Sequence, residues 1–170
     1  MKKNSVRLLT RAALIAALYV VLTWLANLLG LASGAIQVRL SEALTILPLF
    51  FPEAVPGLFV GCLLANLLTG AVFWDVLFGS LATLLGALGT LAVPRDKPYL
   101  APIPPILANM VIVPLVLRYA YQVPGALPYL MATVGIGEVL SCGVLGMGLF
   151  WALKKRGMLP GKKTDDDPAR

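Results

Sequence analysis

From Leu8 to Leu153 the chain is a succession of six apolar runs, divided by short breaks rich in proline, glycine or charge. The runs are Leu8 to Leu31, Leu40 to Phe51, Ala54 to Leu68, Val72 to Val93, Ile103 to Tyr119 and Leu127 to Leu153. That pattern leaves few folds open. A transmembrane barrel strand alternates apolar and polar residues, and these runs do not. In hydrocarbon the α-helix is then the remaining way to satisfy every backbone N–H and C=O. A helical span needs roughly 20 apolar residues. Only 13% of the 170 residues are charged, against about 25% in a soluble domain, so the solvent of this chain is expected to be lipid.

The expected fold is an all-α membrane protein with six transmembrane helices in one domain, residues 1–153. Residues 154–170 form a polar tail with a triple Asp, expected to be disordered. The first run follows Lys2, Lys3 and Arg7, as the core of a signal peptide does, but it is too long for one and reads as a retained helix. Two runs are weak as independent spans. The second has about a dozen residues and the third is interrupted by Asn66. Short or broken spans persist where protein buries them or where they line a cavity, which points to a site around these two.

Lys and Arg orient the bundle. With six spans and both termini cytoplasmic, twelve of the 14 Lys and Arg fall inside, and only Arg39 and Arg118 fall outside. The expected location is a cell membrane, crossed many times. Gln37, Arg39, Glu42, Trp74, Asp75, Tyr121 and Tyr129 then lie toward the external face, with Tyr119, Tyr121 and Tyr129 reading as interfacial belt residues.

Several functions are disfavoured. Histidine is absent, and Cys62 and Cys142 sit singly inside apolar runs, so neither a disulfide nor a metal site is expected, and no cofactor either. No basic stripe interleaved with aromatics suggests nucleic acid. The tail Gly157 to Thr164 has the wrong spacing for a phosphate loop, so any ATPase must be a separate subunit.

Polar residues within or beside the runs are the candidates for a site. In Gln37-Val38-Arg39-Leu40-Ser41-Glu42, Arg39 and Glu42 share a face if the stretch is helical, and Ser41 suits a helix N-cap. The pair reads either as an anchor at a helix end or as the lip of a ligand site. Glu138 lies about ten residues into the sixth run, roughly 15 Å along a helix. A carboxylate at that depth costs about 2.5–3.5 kcal/mol on insertion scales, so a ligand, an ion or a structural partner must compensate it. Asn66 and Asn109 offer amides as interhelical bonds or ligand contacts. Asp75, Gly79 and Thr83 repeat every four residues as a polar, small face. Trp74 suits an interfacial belt or a stacking platform. Ala12 and Ala16, or Ala13 and Ala17, are pairs of small residues that permit close helix approach, and Gly57 with Gly61 does the same in the third run.

Three strings together resemble the QueT family: Ile36 to Pro48, Pro56 to Cys62 with Asn66, and Asp75 to Leu84. The resemblance spans about Arg11 to Trp151. It implies an S-component, the substrate-specific subunit of an energy-coupling factor (ECF) importer, with the six-helix S-component bundle. It implies a 7-deazaguanine ligand, a queuosine precursor such as the 7-cyano or 7-aminomethyl base or queuine. The implied partners are a transmembrane coupling subunit and two ABC-type ATPases, with the coupling subunit docked on small residues of the first helix. A guanine-like edge presents two adjacent N–H donors that a carboxylate accepts. Glu138 and Glu42 lead as that carboxylate, with Asn66, Asn109 and Gln37 for the other ring positions and Trp74 over the ring face. Alternatives are an S-component for another vitamin and an intramembrane enzyme using Glu138 and Asp75. The enzyme lacks a nucleophile with an adjacent base.

Overall fold

The structure, a computed structural model, describes residues 2–31 and 36–158. The elements are α1 (Lys2–Leu28), a 3₁₀ helix (Leu40–Leu49), α2 (Ala54–Leu68), α3 (Phe73–Ala92), a 3₁₀ turn (Pro98–Leu100), α4 (Ile103–Tyr119), α5 (Leu127–Glu138), a π-helical segment (Val139–Leu145) and α6 (Gly146–Lys155). The described residues contain no strand. The last three elements form one helical stretch, Leu127–Lys155. The chain thus has six apolar helical segments, as expected. Four are long and apolar enough to cross a membrane, namely Ser5–Leu28, Phe73–Ala92, Pro98–Tyr119 and Leu127–Lys155. The expected tail lies outside the described residues beyond 158, and Lys154 and Lys155 end α6.

Short connections make consecutive helices neighbours: α1 packs on α2, α2 on α3, α3 on α4 and α4 on α5. The second run departs from a transmembrane α-helix. It is a ten-residue 3₁₀ helix held among α1, α2, α3, α6 and the π segment. Pro48 lies inside it. Proline has no N–H for an α-helical bond, and its ring crowds the carbonyl four residues back. Eight of the ten residues are buried, including Ser41, Glu42 and Thr45. The sixth run also departs from a uniform helix, because the π segment opens directly after Glu138. Such bulges are frequent at functional sites.

The α1–α2 contact depends on small residues. A Cβ at Gly57 would come within 2.7 Å of the Ala12 carbonyl oxygen, and one at Gly61 within 2.7 Å of Tyr19 Cβ and 3.0 Å of Ala16 Cα. The expected packing role of these glycines is therefore the one found. Ile15, Tyr19, Leu44, Leu47, Leu58 and Cys62 fill the core beside this contact.

Candidate functional site

At one end of the bundle, the C-terminal ends of α1, α2 and α4 meet the N-terminal end of α3 and the segment entering the 3₁₀ helix. They enclose a cavity of about 410 Å³. Its wall carries Tyr19, Thr23 and Asn27 from α1, then Gln37, Arg39 and Ser41, then Asn66, Asp75 and Tyr121. Arg11 marks the opposite end of α1, where its Nη1 meets Glu53 Oε1 at 3.0 Å.

Asp75 is placed by the start of α3, whose first-turn N–H groups favour a carboxylate. Its Oδ2 accepts the Tyr121 hydroxyl at 2.9 Å, while that hydroxyl accepts the Val72 N–H at 3.3 Å. Asp75 Oδ1 is buried without a hydrogen-bond partner. Asn66, in the last turns of α2, donates Nδ2 to the Asp75 carbonyl at 3.2 Å. Burial and the Asp75 carboxylate push the Tyr121 hydroxyl up, so it remains a neutral donor. Burial alone would lower the Arg39 guanidinium, but Asp75 and the other acidic groups around it, Glu138 among them, together outweigh that and leave it raised. The cavity thus opposes a fixed cation and a carboxylate with a free lone pair, and adds amides from Gln37, Asn27 and Asn66.

The loop before the 3₁₀ helix is tied to the sixth run. The Arg39 N–H donates to Ser141 Oγ at 3.0 Å, and Ser141 Oγ donates to the Gly137 carbonyl at 2.8 Å. Gly137 lies so near the Gln37 carbonyl that a side chain has no room there. Ser41 does not cap the helix. The N-cap position is Arg39, with no side-chain capping bond, and Ser41 Oγ instead accepts the Thr23 hydroxyl at 2.9 Å.

Of the sequence candidates, Gln37, Arg39, Asn66 and Asp75 come together on this cavity. Glu42 lies beneath it, fully buried. Its Oε1 accepts the Tyr19 hydroxyl and, at 3.3 Å, the Thr83 hydroxyl, rather than pairing with Arg39. Glu138 and Asn109 are also buried below the cavity and do not line it. Glu138 Oε2 accepts the Cys142 thiol at 3.2 Å. Trp74 faces away: it is 52% exposed, stacks on Phe78 and lines an apolar groove between α3 and α4. The expected polar, small face of α3 is real, since Asp75, Gly79 and Thr83 are all buried. On α1, Ala16 turns inward at 7% exposure and Ala12 follows it, whereas Ala13 and Ala17 are exposed.

Several polar residues on the cavity, Tyr19, Thr23, Asn27 and Tyr121 among them, were not singled out from sequence as site residues. Tyr19 looked like one more apolar residue of a long span; its spacing from Ala12, Ile15, Ala16 and Ala26 marks one helix face, and that was the available signal. Tyr121 read as a belt residue because belts are the common place for a Tyr beside a span end.

A family model described as "QueT transporter" matches residues 9–155. Over 98 residues the chain is 36% identical to "Queuosine precursor transporter QueT" of Lactococcus lactis subsp. cremoris (strain MG1363), a stretch covering 57% of this chain and 57% of that protein. No solved structure matches. The family match runs from α1 to α6 and takes in every element that lines the cavity, and this chain therefore belongs to the QueT transporter family.

Proposed function

We propose that the protein is the membrane-embedded substrate-binding subunit of an importer for queuosine precursors, an S-component of the ECF kind. It binds a 7-deazaguanine from outside and performs no covalent chemistry. The observation that carries this reading is the polar cavity that Arg39 and Asp75 both line. Its volume suits a small, largely enclosed ligand. The free lone pair of Asp75 Oδ1 accepts an N–H of the guanine-like edge after a small side-chain shift. Arg39 donates to the ring carbonyl, and Gln37 and Asn66 meet the remaining polar positions. Asp75 accordingly replaces Glu138 and Glu42 as the first carboxylate to meet the ligand, and Tyr121 replaces Trp74 as the aromatic beside it.

The same reading sets orientation and partners. The start of α1 and the end of α6 lie at the end remote from the cavity and face the cytoplasm of a bacterial cell, in keeping with the Lys and Arg bias. ATP is hydrolysed by partner ATPases through a transmembrane coupling subunit. That subunit docks on the outward face of α1 bearing Ala13 and Ala17, because Ala12 and Ala16 are already in contact with α2.

Calorimetry on the purified protein tests the site, using 7-cyano- and 7-aminomethyl-7-deazaguanine, with unrelated vitamins as controls. Both deazaguanines are expected to bind and the vitamins are not. Asp75→Asn loses one charge-assisted hydrogen bond, about 1.5–3 kcal/mol or roughly 10- to 150-fold in affinity. Glu138→Gln has a smaller effect, and Trp74→Leu less than about threefold. A vitamin that bound while both deazaguanines failed would reassign the substrate. An effect of Glu138→Gln larger than that of Asp75→Asn would move the ligand down to the buried carboxylates. Thiol labelling checks orientation: Gln37→Cys is reachable from outside and Asp96→Cys is not.

A further inference from the structure

Below the Tyr19 floor of the cavity lies a second polar cluster that the ligand site leaves unused. One carboxylate oxygen each from Glu42 and Glu138, with Cys142 Sγ, all lie within 4.8 Å of one another. All three residues are buried, at 0%, 4% and 1% exposure. Three elements bring them together: the 3₁₀ helix, the end of α5 and the π segment. Glu42 Oε2 has no hydrogen-bond partner. From α4, Asn109 faces Glu138 at 0% exposure, and neither its Oδ1 nor its Nδ2 makes a hydrogen bond. An amide buried that deeply with both ends unsatisfied is rare in a folded protein, because nothing offsets its lost water.

Charge does not balance in this cluster. Two carboxylates sit where burial strongly disfavours any uncompensated ion. The cation within electrostatic reach of Glu138 is Arg39, whose strongest carboxylate neighbour is Asp75. A proton on Glu138 would still leave Glu42 Oε2 without a partner, because no neighbour lies in hydrogen-bond reach of that atom. A metal ion needs no such short contact. Midway between the two carboxylate oxygens, it is within about 2.4 Å of each of them.

We propose that Glu42 and Glu138 together hold one dehydrated sodium ion, with the unpaired Asn109 amide beside them. An oxygen-dominated donor set selects a hard cation. One positive charge suits two carboxylates that already share part of the Arg39 field. The Cys142 thiol keeps its proton, donates it to Glu138 and orients that carboxylate instead of ligating. This revises the expectation of a chain without a metal site, and it does not depend on which ligand occupies the cavity above.

The test is the thermal unfolding of the detergent-purified full chain in sodium, potassium and choline chloride at equal ionic strength. Sodium is expected to raise the midpoint by several degrees, saturably, with potassium weaker and choline without effect. Glu138→Gln and Asn109→Ala should each remove the sodium-specific rise, whereas Glu53→Gln, at the Arg11 pair, should keep it. Equal midpoints in sodium and choline for the unmodified chain overturn the proposal without any variant, and point to a buried water or a protonated carboxyl. A sodium-specific rise that survives in both Glu138→Gln and Asn109→Ala also overturns it, and places the ion elsewhere. If one of those two variants fails to fold, the other still decides.

Discussion

Helix α1 and the 3₁₀ helix Leu40–Leu49 are opposite answers to the same solvent. The first is 27 residues long and strongly apolar, yet only 17% of its most hydrophobic window is buried within the protein. The second is ten residues long, carries Ser41, Glu42 and Thr45, and is buried at eight positions. A helix facing lipid must be long and apolar along its length, because hydrocarbon accepts no polar group. A segment that touches only protein escapes both demands. Its backbone is free to leave α geometry, and its polar side chains need partners rather than water. Uninterrupted apolar length therefore marks the outer wall of this molecule, and a short segment carrying polar residues marks its centre.

The sharpest way to break this comparison is to make one substitution in both regions. Leu47→Ala, at a 7% exposed position of the 3₁₀ helix, opens a cavity and should cost about 2–5 kcal/mol. Leu14→Ala, at 58% exposure on α1, should stay within about 0.5 kcal/mol. Thermal unfolding in detergent reads both, and similar losses would mean that the outward face of α1 is not a lipid face.

A smaller effect separates the two faces of α1 itself. Ala16→Trp forces a large ring against Gly61 and Tyr19, which should cost about 1–3 kcal/mol or more by overpacking. Ala17→Trp, on the exposed side, should leave stability and ligand binding intact while abolishing transport by the assembled importer. If Ala17→Trp transports normally, the coupling subunit docks elsewhere.

The mildest change touches the link between the two regions. Tyr19→Phe removes the hydroxyl that α1 donates to Glu42. The Thr83 hydroxyl still reaches the same oxygen at 3.3 Å, so the loss should be about 1 kcal/mol. A much larger drop in the melting midpoint would show that Glu42 depends on Tyr19 alone.

Much of the fold was legible. The third and fifth runs match α2 and α4 at both ends, and the fourth differs from α3 by one residue at each end. The site was legible only in part. Gln37, Arg39, Asn66 and Asp75 were chosen because polar groups beside or inside apolar runs need a reason, and those four do meet on the cavity. Trp74 was chosen as an aromatic to cover the ring face, and it faces the other way. Polarity shows that a residue needs an explanation, but not which of its neighbours supplies it.

Hydropathy along the chain determined the class, the number of helical segments and most of their ends, because crossing hydrocarbon is a one-dimensional requirement of length and polarity. Facing was decided by tertiary structure alone. In a water-soluble helix the polar side shows which face turns inward, but lipid and protein interior are both apolar, so the Ala12 to Ala17 stretch of α1 carries no such mark. Ala16 and Ala17 are chemically identical neighbours. Only the close approach of Gly57 and Gly61 turns one toward α2 and leaves the other outside. Packing likewise placed Asp75 on the cavity and Glu138 beneath it. Where a side chain points depends on the register between helices distant in sequence, and no local pattern encodes that register.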